Sequence, residues 1–148
     1  MRIFLITLSI LLTSIGSIMA KNLYNFSIQD IDGNTVNLDK FKGKPILLVN
    51  TASRCGFTKQ YANLSNLHRE YFKKNLVIIG TPSNSFHQEL SNNEEVKEFC
   101  LVNYETKFII SEIISVVGEN AHPIYSWMTS EYNDCLLYTS PSPRDAHK

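Results

Sequence analysis

The chain predicts an α/β domain whose central strands run parallel, and three observations carry that prediction. Ile46–Val49 is a continuous apolar, β-rich run, and Leu76-Val-Ile-Ile79 is a second one. Between them Tyr61, Leu64, Leu67 and Tyr71 recur at helical spacing. Strand, helix and strand in that order imply a parallel pair joined by a right-handed crossover. At 148 residues the chain forms one ordinary domain with a sizeable core.

Phe26 and Ile28 alternate with polar residues, Asp32-Gly33 supplies a turn, and Val36 and Leu38 follow, which reads as a β-hairpin. Gly43-Lys44-Pro45 turns the chain into Ile46–Val49, whose unbroken apolar character suits a central strand buried on both faces. Thr58 is placed to cap the helix that follows. Residues 80–93 are polar and aperiodic, hence a loop at the carboxyl end of a strand, where open α/β sheets build their sites. Asn92 and Glu95 fit a capping pattern for a helix with Val96, Phe99 and Cys100 on one face. Lys107–Val117 holds an apolar run of undetermined type, and residues 121–130 read as a short helix with Pro123 in its first turn.

Both ends fall outside this pattern. Met1-Arg2, the apolar run Ile3–Leu12 and small residues leading to Ala20 describe a secretory signal peptide over residues 1–20, with an uncleaved anchor as the alternative. Export places the protein in a bacterial periplasm, where disulfides persist. At the other end, Cys135-Leu-Leu-Tyr-Thr-Ser-Pro-Ser-Pro-Arg-Asp145 resembles the conceptual translation of a transposase-type sequencing adapter. Residues 135–148 are therefore expected to be an artefactual tail, the domain to be an incomplete 21–134, and such a chain to be unstable or inactive. Of the three cysteines, two then count as native, Cys55 and Cys100. The net charge is zero, so there is no electrostatic footprint for nucleic acid. Beyond the export signal nothing points to a membrane, and a monomer is favoured.

The chemistry concentrates at Cys55. It follows the first apolar strand and precedes the first helix, where unpaired N–H groups favour an anion such as a thiolate, and Arg54 adds a cation next door. The competing reading is a small buried hydrophobe. The element order, with the thiol at that junction, points to a thioredoxin-like α/β fold: an N-terminal β-hairpin, then a central mixed sheet flanked by helices, with its C-terminal part missing. In Cys55-Gly-Phe-Thr58, threonine stands where a C-x-x-C motif has its second cysteine. That departure argues against a dithiol oxidoreductase and for one-thiol nucleophilic chemistry.

Gly43-Lys-Pro-Ile-Leu-Leu-Val-Asn-Thr-Ala-Ser-Arg-Cys-Gly-Phe-Thr58, with Gln60-Tyr61 after it, resembles the first signature of the glutathione peroxidase family. Pro82-Ser-Asn-Ser-Phe-His-Gln-Glu89 resembles the second, and Asn93-Glu-Glu-Val-Lys-Glu-Phe99 and His122-Pro-Ile-Tyr-Ser-Trp127 are similar to further family segments. The resemblance implies that Cys55 is the peroxidatic residue and Gln88 its hydrogen-bonding partner, in a loop one residue shorter than usual at His87. It implies a Trp-Asn pair from a later Trp-Asn-Phe segment, which this chain ends before reaching; Trp127 is read as a packing aromatic. The implied activity is thiol-dependent reduction of hydrogen peroxide or organic hydroperoxides, with glutathione or a thioredoxin-like protein as reductant and no cofactor or metal.

Cys100 is the candidate resolving thiol, although its spacing with Val96 and Phe99 also fits a buried, inert cysteine. An exported thioredoxin-like copper-delivery protein is the alternative function. Cys55 lacks a partner at C-x-x-x-C spacing, and His68, His87 and His122 form no ligand pattern.

Overall fold

A computed structural model describes residues 22–132. The predicted signal segment and the adapter-like tail with Cys135 lie outside those residues. The hairpin is formed by β1 (Ser27–Gln29) and β2 (Thr35–Asn37), antiparallel, with Ile28 opposite Val36 and both buried. Its turn is organised by Asp30, whose Oδ1 accepts from the N–H groups of Asp32 and Asn34 at 3.0 and 2.8 Å. Gly33 supplies the left-handed conformation the turn needs, at φ 81°.

The main sheet contains β3 (Ile46–Thr51), β4 (Val77–Pro82) and β5 (Ile109–Ile110), in the order β3-β4-β5. Helix α1 (Gln60–Tyr71) carries the chain from β3 back to the start of β4, and α2 (Asn93–Tyr104) does the same between β4 and β5. Both crossovers produce parallel pairing, with Ile46 opposite Val77 and Ile79 opposite Ile109. Among the described residues this sheet is parallel through its three strands. Its antiparallel component is the hairpin, which reaches the β5 edge through a bridge between Asp30 and Ser111.

One expectation is corrected here. Ile46–Val49 was expected to be central and buried on both faces, but among the described residues β3 has a single neighbour and its apolar side chains are half-buried. The central strand is β4. Its successive side chains enter opposite layers, as the twofold period of a strand requires. Ile79 packs with Phe26, Ile28, Val36, Leu38 and Ile124, joining the hairpin to α3 (Pro123–Tyr132). Ile78 packs with Tyr61, Val96, Cys100, Phe108 and Ile110, joining α1 to α2. Gly80 follows because an added Cβ would lie 2.9 Å from Ile110 Cδ1 and 3.1 Å from Phe108 Cε2.

The loop expected from residue 80 begins later, since Gly80-Thr81-Pro82 continues the β4 ladder opposite Val49–Thr51. Helix α2 starts as its sequence requires. The Asn92 side chain accepts from the Glu95 N–H at 2.9 Å, while the Glu95 carboxyl accepts from the Ser91 N–H at 3.2 Å. The undetermined run at 107–117 is resolved as the two-residue strand β5 followed by irregular chain. In α3 Pro123 occupies the first helical position.

Candidate active site

Thr51 ends β3 and Pro82 ends β4, opposite one another in the parallel register. The segments that leave them, 52–59 and 83–92, therefore emerge from the same end of the sheet. Cys55 sits in the first and Gln88 in the second.

Cys55 is half-buried and its thiol is free. It lies in a series of turns ahead of α1, which begins at Gln60, so it does not occupy the helix N-cap. Thr58 does not cap that helix either; the N-cap position is Lys59, without a side-chain hydrogen bond. The Thr58 hydroxyl instead folds back, accepting from the Cys55 N–H at 2.9 Å. It also lies 2.7 Å from the Cys55 carbonyl and 2.9 Å from that of Ala52, and its proton serves these acceptors. A backbone donor still reaches the sulfur, because the Phe57 N–H points at Cys55 Sγ from 3.5 Å. The local turn thus supplies the kind of contact expected of a helix start.

Beside this turn is a cavity of about 60 Å³ lined by Thr51, Ala52, Cys55, Phe57, Thr58 and Tyr61 among others. A water needs only about 10–15 Å³ of such space, so a small molecule can reach the thiol there. A larger shallow groove, about 330 Å³, runs over α2 between Leu90, Phe99 and Val102 and includes neither Cys55 nor Gln88.

The second segment is held to the first by two adjacent contacts. The Arg54 N–H donates to the Gln88 carbonyl at 2.8 Å, and the Ser53 N–H donates to Glu89 Oε1 at 3.0 Å. Ser83 starts this segment by donating its N–H to the Thr51 carbonyl at 3.0 Å. A tight turn follows, with the His87 N–H on the Asn84 carbonyl at 2.9 Å and His87 in the left-handed region at φ 59°. Ser85 anchors the turn to the far chain, its Oγ accepting from the Val116 N–H at 3.1 Å. Gln88 itself is half-buried, and its carbonyl meets Arg54, the residue before Cys55. Glu89, which the sequence reading passed over, is 5% exposed.

Cys100 stands apart from this surface. It is 1% exposed, on the inner face of α2, and its thiol is pushed up to about 11, chiefly by burial and further by the Glu89 carboxyl. Tyr61 is the element between: it lines the Cys55 cavity and packs in the same cluster as Cys100. Burial holds the Tyr61 phenol protonated far above its ordinary range, with Cys100 adding to the effect.

The histidines do not converge. His68 on α1 packs its ring 5.1 Å from that of Phe72, and His87 is exposed. His122 precedes α3, where its Nδ1 accepts from the Ile124 N–H at 3.3 Å. Among the described residues no three His, Cys, Asp or Glu side chains gather as a ligand set, and no helix is long and apolar enough to cross a membrane. Trp127 lies against Phe26, with ring centroids 5.3 Å apart.

Fold and site define an α/β protein of thioredoxin-like architecture with, among the described residues, one accessible thiol at the carboxyl end of its parallel sheet. A family model for glutathione peroxidase matches residues 23–129. The chain is 40% identical over 119 residues to a glutathione peroxidase of Lactococcus lactis, covering 80% of this chain and 76% of the relative. It is 40% identical over 114 residues to the glutathione peroxidase-like peroxiredoxin 2 of Saccharomyces cerevisiae, covering 76% and 70%. A hydroperoxy fatty acid reductase of Synechocystis is 40% identical over 109 residues, covering 73% and 64%. Among solved structures, that of Trgpx in apo form superposes with a TM-score of 0.60 at 34% identity, covering 79% of this chain and 69% of that one. T. cruzi GPX1 also gives 0.60, at 27% identity, covering 82% and 74%. The chain belongs to the glutathione peroxidase family.

Proposed function

We propose that this protein is a thiol-dependent peroxidase in which Cys55 is the nucleophile and Gln88 its polar partner. The observation that carries the reading is the setting of Cys55. It is a free, half-buried thiol on a small cavity, tied through Arg54 to the Gln88 segment, with Thr58 where a second cysteine would make a dithiol site.

The Cys55 thiolate attacks one oxygen of the peroxide, the O–O bond breaks, and the other oxygen takes a proton and leaves as water or an alcohol. The sulfur is oxidised by two electrons to a sulfenic acid. A reducing thiol then attacks that sulfur, releasing water and forming a mixed disulfide, and a second thiol frees Cys55. The Phe57 N–H reaches the sulfur from 3.5 Å, and the family resemblance supports Gln88 as the group that orients the peroxide or the thiolate by hydrogen bonding.

The burial of Cys100 supports an external first reductant, glutathione or a thioredoxin-like protein. A buried thiol pushed up to about 11 and packed in one cluster with Tyr61 and Val96 has little thiolate. The relatives named hydroperoxy fatty acid reductase and peroxiredoxin support organic hydroperoxides and protein thiols as co-substrates alongside hydrogen peroxide. The sequence pattern of residues 1–20 supports export to the periplasm, which fractionation of cells making the tagged full chain tests.

The deciding experiment is hydrogen peroxide consumption with stoichiometric glutathione or dithiothreitol oxidation. Cys55→Ser is expected to reduce turnover to the uncatalysed rate, and Cys100→Ala to retain most of it. Full activity in Cys55→Ser would overturn the assignment of the nucleophile. Loss of turnover in Cys100→Ala, with the first sulfenic acid still formed, would make Cys100 the resolving thiol.

A further inference from the structure

Glu89 is a carboxyl group buried to within 5% of full enclosure, a costly arrangement unless its oxygens are hydrogen-bonded. Its Oε1 accepts two backbone N–H groups from different parts of the chain, Ser53 at 3.0 Å and Leu90 at 2.8 Å. Oε2 has no hydrogen-bond partner among the described residues, and neither does the Ser53 hydroxyl. One oxygen thus performs the linking, across 36 residues of sequence.

The position of that link matters more than its strength. Ser53 lies two residues before Cys55, and Glu89 directly follows Gln88. The neighbouring contact, from the Arg54 N–H to the Gln88 carbonyl, runs between the same two segments. Together they form two consecutive rungs where the β3–β4 ladder has ended, and one of the rungs is supplied by a side chain. The remaining ties of residues 83–92 lead to the end of β3 through Ser83, to the 115–117 segment through Ser85 and to α2 through Asn92. None of those sets the spacing between Cys55 and Gln88.

We propose that Glu89 is a positioning residue for the peroxide half-reaction, fixing the separation of Cys55 and Gln88 through its hydrogen bond to the Ser53 N–H. The proposal rests on the assignment of Cys55 and Gln88 made above. The linking function requires an acceptor oxygen at the end of a glutamate-length side chain and does not require a charge. Glutamine supplies that oxygen. Aspartate keeps the carboxyl but is one methylene too short to span the gap. An ångström of misplacement at a reacting centre costs on the order of 100-fold in rate.

The test is two-substrate kinetics on the full chain with hydrogen peroxide and dithiothreitol, which separates kcat/KM for the oxidising step from that for the reducing step. Glu89→Gln is expected to stay within about 3-fold of wild type on both steps. Glu89→Asp and Glu89→Ala are expected to lose about 10- to 100-fold on the peroxide step with the dithiothreitol step nearly unchanged. Simple destabilisation would lower the active fraction and move both steps together. If Glu89→Ala does not fold, the Asp and Gln variants decide. Hydrogen exchange at the Ser53 amide adds a readout without turnover: protection retained in Glu89→Gln and lost in Glu89→Asp. The proposal is overturned by a wild-type peroxide rate in Glu89→Asp, by equal losses on both steps, or by Glu89→Gln falling as far as Glu89→Ala. Absence of Cys55-dependent turnover in a wild-type chain shown to be folded overturns the functional assignment itself. Turnover that is present but indifferent to Glu89 overturns the positioning role alone.

Discussion

The N–H of Arg54 donates to the carbonyl of Gln88 at 2.8 Å, joining the residue before the nucleophile to the residue proposed to assist it. Because the bond is between main chains, substitution of either side chain leaves it in place. The chemical contribution of Gln88 can therefore be removed without releasing its loop. Gln88→Ala is expected to lower kcat/KM for hydrogen peroxide by about 10²–10³-fold, the range seen when one polar group serving a developing charge is deleted. Stopped-flow measurement of Cys55 oxidation checks it, with the thermal midpoint expected to stay within a few degrees of wild type.

Thr58 has become part of the nucleophile's own turn. Thr58→Val keeps the shape of the side chain but leaves the Cys55 N–H without its 2.9 Å acceptor and the Ala52 carbonyl without a donor. Leaving part-buried groups unpaired costs about 1–3 kcal/mol. Urea unfolding is expected to show that loss, and peroxide turnover is expected to fall with it. Thr58→Ser retains the hydroxyl and is expected to recover most of both.

Gly80 lies opposite Ile110 of β5 in the parallel register. The Cβ of Gly80→Ala would meet Ile110 Cδ1 and Phe108 Cε2 at 2.9 and 3.1 Å, so those side chains must give way. Overpacking of this kind costs about 1–3 kcal/mol. Chemical denaturation is the appropriate check.

Burial holds His68 and His122 below the ordinary histidine value of 6.5. The unfolded chain therefore binds protons at these rings more readily than the folded one, and stability rises with pH across that window. The contribution is complete above about pH 6.5 and is lost as the pH falls through the lowered folded values. Urea midpoints measured from pH 5 to 8 are expected to decline on the acid side. His122→Asn, which keeps a capping acceptor but does not titrate, is expected to flatten part of that slope.

Much of the fold was legible because its signals are local. Alternation around Asp32-Gly33 placed the hairpin, the spacing of Tyr61, Leu64 and Leu67 placed α1, and Asn92 with Glu95 placed the start of α2. The errors arose where distant chain decides. An unbroken apolar run describes Ile46–Val49 and Val77–Ile79 equally well, and the run cannot say which strand has neighbours on both sides. The polarity of Gly80-Thr81-Pro82 suggested loop, but pairing with Val49–Thr51 kept them in the sheet. The candidate site was named in the sequence at Cys55 and, through family resemblance, at Gln88. Glu89 was not, because its role depends on meeting Ser53 from 36 residues away. Thr58 was read as a cap because threonine before a helical pattern commonly is one, whereas the preceding turn claimed its hydroxyl.

The hairpin bears on how copies of the protein behave toward one another. Strand β5 is short, and a bare edge there would offer unpaired N–H and C=O groups to any extended chain nearby. The hairpin occupies that edge instead: the Ile31 N–H reaches the Ile110 carbonyl at 2.8 Å and the Glu112 N–H reaches the Gln29 carbonyl at 3.1 Å. The small N-terminal element thus acts as a guard against strand recruitment, and loosening it would invite aggregation from the β5 side before the thiol site was disturbed.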